Sequence, residues 1–275
     1  METFQTPEPI ELELRVPSGT VEVDAGDTQE TTVDLEAMSD DDASRAAVES
    51  ARIELHGGRL LVDVPEQKVW GISFGRGAQV RLRVRTPAGA RVLLSTRSAD
   101  ARLRGRLARL DAQTTSGDVE VEQVDGDALV RSVSGDLDIG RIAGELELAS
   151  TSGDATVARA EGPLQANMIS GDVTVREAES SARVKTVSGD QRLDVVSQGD
   201  VDLRSVSGDI VVGVRRGSRV WIDANSVSGN LRSDLDLSDS RPEGEGTMVE
   251  LRARTVSGDL RVGRAEAPVG SRPAG

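Results

Sequence analysis

The sequence predicts an all-β fold, a parallel β-solenoid with about 18 residues per coil and an N-terminal cap containing one short helix. Three observations carry this. Ser-Gly-Asp or a near copy recurs with its serine at Ser116, Ser134, Ser152, Ser170, Ser188, Ser207, Ser228 and Ser257, the first five 18 residues apart. Apolar residues alternate on both sides of each serine, and a second glycine-bearing corner falls between successive copies. A fixed period of this kind means stacked repeats.

The alternation defines two short strands per period. Six and four positions before the serine stand Ala128 and Val130, Leu146 and Leu148, Ala182 and Val184, and Val201 and Leu203. Three and five positions after it stand Val119 and Val121, Leu137 and Ile139, Val173 and Val175, and Ile210 and Val212. Period-two alternation is the mark of a strand with one buried face. Between the strands, the corner glycine can adopt positive φ while serine and aspartate bond turn amides. The second corner, as in Val124-Asp125-Gly126 and Ile142-Ala143-Gly144, completes the coil. A meander of hairpins is the rival topology, but it gives no reason for identical corners in register.

The period loosens to 19, 21 and 29 residues at the last three intervals, the longest holding a polar surface loop from Ser238 to Gly246. Ser98-Ala99-Asp100 reads as a degenerate first corner, and Ile10–Gly19 matches Val80–Gly89 position by position. Residues 1–95 are therefore expected to be a cap and irregular opening coils, 96–264 the regular repeats, and 265–275 a disordered tail. In the cap, Ser39-Asp40-Asp41-Asp42 precedes good helix formers from Ala43, which predicts one short helix. His56-Gly57-Gly58 separates two strand-like runs as a hairpin would.

Composition bounds the function. The 275 residues carry a net charge of −14, which disfavours nucleic-acid binding. The absence of cysteine excludes disulfides, zinc fingers and thiol nucleophiles. The first residues show no basic or apolar run, and no stretch approaches the roughly 20 apolar residues of a membrane helix, so a cytoplasmic location without an integral membrane segment is expected. Charge is unevenly spread: Arg76 to Arg109 holds ten arginines and one acid.

The tandem Val-Ser-Gly-Asp corners, with Pro-Ser-Gly and Pro-Ala-Gly strand ends upstream at Pro17 and Pro87, resemble the bacterial putative-adhesin domain family, a β-strand-repeat domain of unknown function. The resemblance spans nearly the whole chain. It implies a right-handed β-helix with a binding role and supplies no catalytic or ligand residues.

The corner residues Asp118, Asp136, Asp154, Asp172, Asp190, Asp209 and Asp259, with Asn230, should stack in a column on one edge. Such a ladder could collect calcium or could cap turns. The second corner offers an aspartate pair only at Asp125 and Asp127, which favours capping, and no metal or other cofactor is assigned. Neighbouring carboxylates about 5 Å apart in water repel by roughly 0.8 kcal/mol before screening.

Candidate partner contacts are Trp70 and Phe74, on a glycine-rich segment, and Arg81, Arg83 and Arg85, which share a strand face. The alternatives are a hydrophobic lid over the solenoid end for the first two and pairing with Glu11 and Glu13 for the arginines. Hydroxyl pairs such as Thr114 and Ser116 suggest ice-binding surfaces, but the strand phase turns the first of each pair inward.

For catalysis the chain has one histidine, His56, in a predicted turn, and almost no aromatic platform for sugars. The preferred reading is a non-catalytic scaffold that binds an unknown protein partner or itself. Adhesion or carbohydrate binding at the cell envelope comes second, and a polysaccharide-active enzyme third.

Overall fold

The computed structural model describes residues 1–65, 78–235 and 247–265. Trp70, Phe74, the polar loop after Ser238 and the tail beyond Ala265 lie outside the described residues. Within them the chain is a parallel β-solenoid with one α-helix, Asp42–Glu49.

Each coil contributes two strands. Those entering the Ser-Gly-Asp corners, such as Ala128–Ser134, Leu146–Ser150, Leu164–Ser170 and Ala182–Ser188, stack in parallel and form a first face. Those leaving the corners, such as Val119–Val124, Leu137–Ile142, Ala155–Ala160 and Val173–Ala178, form a second. Equivalent residues therefore lie over one another. Val121, Ile139, Val157, Val175, Leu193, Val212 and Val262 make one continuous buried stack. Burial of each such side chain stabilises by about 1.5–3 kcal/mol, so the interior and the axial hydrogen bonds specify the same stacking.

The corner glycines are demanded twice. Gly117, Gly135, Gly153, Gly171, Gly189, Gly208 and Gly258 all have φ between 105° and 149°. Each also packs so closely on the coil below that a Cβ on Gly189 would lie 2.1 Å from the carbonyl oxygen of Gly171. A left-handed conformation alone tolerates asparagine; this stacking admits only a hydrogen.

Both ends of the solenoid depart from chain order. At the C-terminal end the strand Met248–Ser257 pairs on one side with Gly199–Ser207 and on the other with Arg219–Ser228. Likewise Leu260–Arg264 lies between Ile210–Val214 and Leu231–Ser233. The last described coil is thus inserted beneath the one before it in sequence. The 29-residue interval before Ser257 accompanies this reversal.

The N-terminal end repeats the device. Glu11–Gly26 is the first coil in the chain, yet it sits between the coil of Arg59–Asp63 and Val80–Pro87 and that of Ala90–Ser116. Val80–Pro87 pairs with the second half of Glu11–Gly26, residues 19–26. The matching sequences Ile10–Gly19 and Val80–Gly89 therefore occupy different faces and are not structural equivalents. Their likeness reflects strand alternation ending in a glycine turn, which both faces require. The strand Ala90–Ser116 also runs unbroken through residue 95, so no element ends there.

Antiparallel strands close the N-terminal end. Glu30–Ala37 covers Val80–Pro87, Glu2–Gln5 covers Glu30–Ala37, and Arg52–His56 folds back on Arg59–Asp63 through Gly57 and Gly58. The helix packs beside them with Ala47 fully buried, and the buried Ser44 Oγ accepts from the Gln79 amide at 3.0 Å. Asp41 caps the helix by accepting from Ser44 N at 2.7 Å. Hydrogen bonds from the Ser39 hydroxyl and then from Ser44 lower its carboxyl pKa to about 2.

Candidate interaction surface

The Ser-Gly-Asp edge is bound together by its own aspartates. The amide of Asp136 donates to Oδ1 of Asp118 at 2.9 Å, and the same bond recurs from Asp154 to Asp136, Asp172 to Asp154, Asp190 to Asp172 and Asp209 to Asp190. Asp118 itself donates to Asp100 at 3.1 Å, so the Ser98-Ala99-Asp100 segment is the first rung. Beyond Asp209 the ladder follows space rather than sequence, passing to Asp259 at 2.7 Å and then to Asn230 at 2.8 Å. Each carboxylate thus satisfies a corner amide of the next coil. Among the described residues no group of three His, Cys, Asp or Glu is placed to hold a metal ion.

Just before the serines stands a row that the sequence reading passed over. Ile169, Val187, Val206, Val256 and Val227 occupy five consecutive coils, and each is between 50% and 77% exposed. Val133 extends the row at 50%, with Thr115 and Thr151 at the same place in their coils. Coils stack about 4.8 Å apart, so the five aliphatic side chains form a straight ridge of roughly 19 Å. The signal was legible in principle: a β-branched residue recurs immediately before each serine, in outward phase.

The hydroxyls two positions before the serines point the other way. Thr114, Ser132, Ser150, Thr186, Ser205 and Thr255 are buried, as is Met168 in the same row. Ser132 and Ser150 each donate to the carbonyl of the serine two residues on, at 3.0 Å. They brace the corner from inside. The neighbouring Gln191 is fully buried, its amide donating to Thr186 Oγ1 and to the Arg204 carbonyl, both at 2.8 Å.

Arg81, Arg83 and Arg85 lie on Val80–Pro87 at the capped end, away from this ridge. Arg83 faces Glu22 at 3.4 Å and Asp34 and Glu36 at 3.8 Å. In the ladder Arg81 stands beside Thr20 and Glu36, and Arg85 beside Asp24 and Thr32. Glu11 and Glu13 instead approach Arg59, and Glu13 also pairs with Arg15. Cross-strand pairing exists, but with the acids of the strands that really flank Val80–Pro87.

A second charged region follows the other corner. Arg141 grips Glu161 with two bonds of 2.7 and 2.9 Å, Arg159 lies 3.4 Å from Glu161 and 3.3 Å from Glu177, and Arg215 pairs with Glu177 at 2.5 Å. Glu161 is held below the usual carboxylate range, chiefly by the Arg141 hydrogen bonds. Nearby, a groove of about 900 Å³ on the second face includes Arg176, Arg192 and Arg261 together with Glu177 and Asp194. Its charges are of both signs. His56 stands exposed on its hairpin, with Glu54 at 4.0 Å.

Among the described residues no helix is long and apolar enough to cross a membrane. Residues 10–267 match the model of a family described as Toastrack DUF4097. No curated protein matches the chain. Among solved structures, it is similar to a putative adhesin from Bacteroides fragilis, at 11% identity over 94% of this chain and 95% of that one, with a TM-score of 0.48. A putative lipid binding protein from Parabacteroides distasonis matches at 13% identity over 96% of each chain, with a TM-score of 0.44. A putative cell adhesion protein from Clostridium sporogenes matches at 10% identity over 96% and 98%, with a TM-score of 0.25.

Proposed function

We propose that this chain, which belongs to the Toastrack DUF4097 family, is a non-catalytic scaffold whose Ser-Gly-Asp edge binds protein. The observation that carries this reading is the aliphatic ridge of Ile169, Val187, Val206, Val256 and Val227. At about half exposure these side chains present on the order of 350 Å² of aligned apolar surface, the size at which a patch on a monomer is commonly functional. The ladder of aspartate bonds beside it holds the ridge straight and rigid, so little ordering entropy is lost on docking.

Several features support a role without catalysis. The described carboxylates with shifted pKa are a helix cap, Asp41, and a member of a surface ion-pair network, Glu161. Each shift has a structural cause. Trp221, the described aromatic residue best shaped to stack on a sugar, has the Arg252 guanidinium 5.9 Å over its ring, which supports protein rather than carbohydrate as partner.

Chemical cross-linking in cells expressing the full chain, followed by mass spectrometry, tests this. The double variant Val187→Asp, Val206→Asp should lose the cross-linked products of the wild type, whereas Arg81→Ala, Arg85→Ala should keep them. Identical products from wild type and the aspartate variant would reject the reading.

A further inference from the structure

Resting on that reading, we infer that the partner of the ridge is a second copy of this chain, related by a two-fold axis that runs parallel to the solenoid.

The ridge repeats at the coil spacing of about 4.8 Å, a period set by interstrand hydrogen bonding. An extended strand or a helix laid along it would present side chains about 6.8 or 5.4 Å apart and drift out of step within a few coils. Another solenoid edge of the same spacing stays in step over its whole length. The apolar row alone falls short of the roughly 800 Å² per partner that a stable interface buries, so its flanks must take part.

The flanks are complementary to themselves. On the strand side, two positions before the ridge residue, stand Arg131, Lys185, Arg204 and Arg254, all exposed. On the corner side, three positions after it, stand Asp136, Asp190, Asp209 and Asp259, also exposed. A cation at the first place always accompanies valine in the ridge and aspartate at the second: Arg131 with Val133 and Asp136, Lys185 with Val187 and Asp190, Arg204 with Val206 and Asp209, Arg254 with Val256 and Asp259. In the outermost coil both charges are absent, as Asn225 and Asn230, and in the Ile169 coil the acid Asp172 faces a neutral Asn167, so the charge matching comes from the valine coils.

Apposing two ridges about an axis parallel to the solenoid sets the cation flank of each copy against the acid flank of the other, coil for coil. An axis across the ridge would set cation against cation and acid against acid. Isologous packing of the first kind is therefore favoured by charge as well as by pitch. The partners these cations have within the chain, Asp202 for Arg204, Asp223 for Arg254 and Glu147 for Arg131, are surface pairs that contribute little and can be exchanged.

Sedimentation equilibrium of the full chain from 1 to about 100 μM provides the first test. Dimer is expected, with at least a tenfold weakening of association in Val187→Asp, Val206→Asp and an unchanged circular dichroism spectrum. Geometry is read from single-cysteine variants, since the native sequence has no cysteine. Val187→Cys and Val256→Cys, two coils apart, should each link to a copy of itself through a short bismaleimide and should not link to each other in a mixture. Cross-links between positions 187 and 256 would overturn the parallel axis. A monomer throughout the concentration range would overturn self-association; if the aspartate variant then still lost cross-linked products in cells, the protein-binding edge would stand with a different occupant.

Discussion

The amide of Asp259 donates to Oδ1 of Asp209 at 2.7 Å, although 50 residues separate them in the chain. The coil that Asp209 belongs to would, in a sequential solenoid, be followed by the coil of Asn230. Instead the chain passes outward through Asn230 and returns, and Asp259 takes the rung between them.

This insertion predicts where the C-terminal end is tight. Leu251 and Ala253 on the inserted coil are fully buried, whereas Val220, Ile222 and Ala224 on the outer coil are only partly buried. Leu251→Ala should cost about 2–4 kcal/mol and Ile222→Ala less than half of that. Amide hydrogen exchange should be slower across residues 249–255 than across 220–226, despite their position nearer the end of the sequence. Equal exchange in the two strands would contradict the observed order.

Glycine substitutions should split by environment. Gly57→Ala meets nothing within 4 Å at φ +58°, so the expected loss is about 1–2 kcal/mol, the ordinary cost of a left-handed alanine. Gly189→Ala faces the Gly171 carbonyl at 2.1 Å as well as φ +135°, and should lose more than about 3 kcal/mol or fail to fold. Urea unfolding of the two variants gives the comparison.

The aspartate ladder should respond to its acceptor and to its charge separately. Asp172→Asn keeps an oxygen for the Asp190 amide and removes one member of a like-charged column; Asp172→Ala removes both. Asn230, the last rung, occupies the column without a charge, its Nδ2 donating back to Asp259 at 3.3 Å. The alanine variant should therefore be less stable by about 1 kcal/mol, the asparagine variant nearly neutral. Wild-type Tm should rise from low to moderate salt, and less so with alternate rungs changed to asparagine.

The helix cap carries a defined pH dependence. Because the folded pKa of Asp41 is depressed to about 2 from an ordinary 3.8, its contribution to stability is complete above about pH 4 and is lost as pH falls toward 2. Asp41→Ala should lower Tm by the same amount at pH 7 and pH 5, and the gap to wild type should close between pH 4 and pH 2. A gap that persists at pH 2 would assign the loss to packing.

Much of the architecture was legible beforehand. Strand alternation around the repeated corners, the positive-φ glycines, the hairpin at Gly57-Gly58 and the Asp41 region as a helix start all follow from local rules that each residue obeys alone. The ridge was equally present in the letters, as a β-branched residue before every serine. The strand phase that turns the preceding hydroxyl inward already turns this residue outward; what the structure adds is that half or more of each side chain is left uncovered in coils that lie directly over one another.

What the amino acids determined by themselves is the coil: its length, its two strands and its corners, because backbone conformation and side-chain alternation are properties of a short segment. What only the tertiary structure decided is the order in which coils stack at the ends and, with it, which acids meet which arginines. All coils present nearly the same edges, so any coil can pair with any other, and local sequence does not distinguish neighbours. Inserting the last coil between two others bonds it on both sides and moves the open edge to Arg219–Ser228, and a choice between stacking orders belongs to the assembled solenoid and to no single repeat.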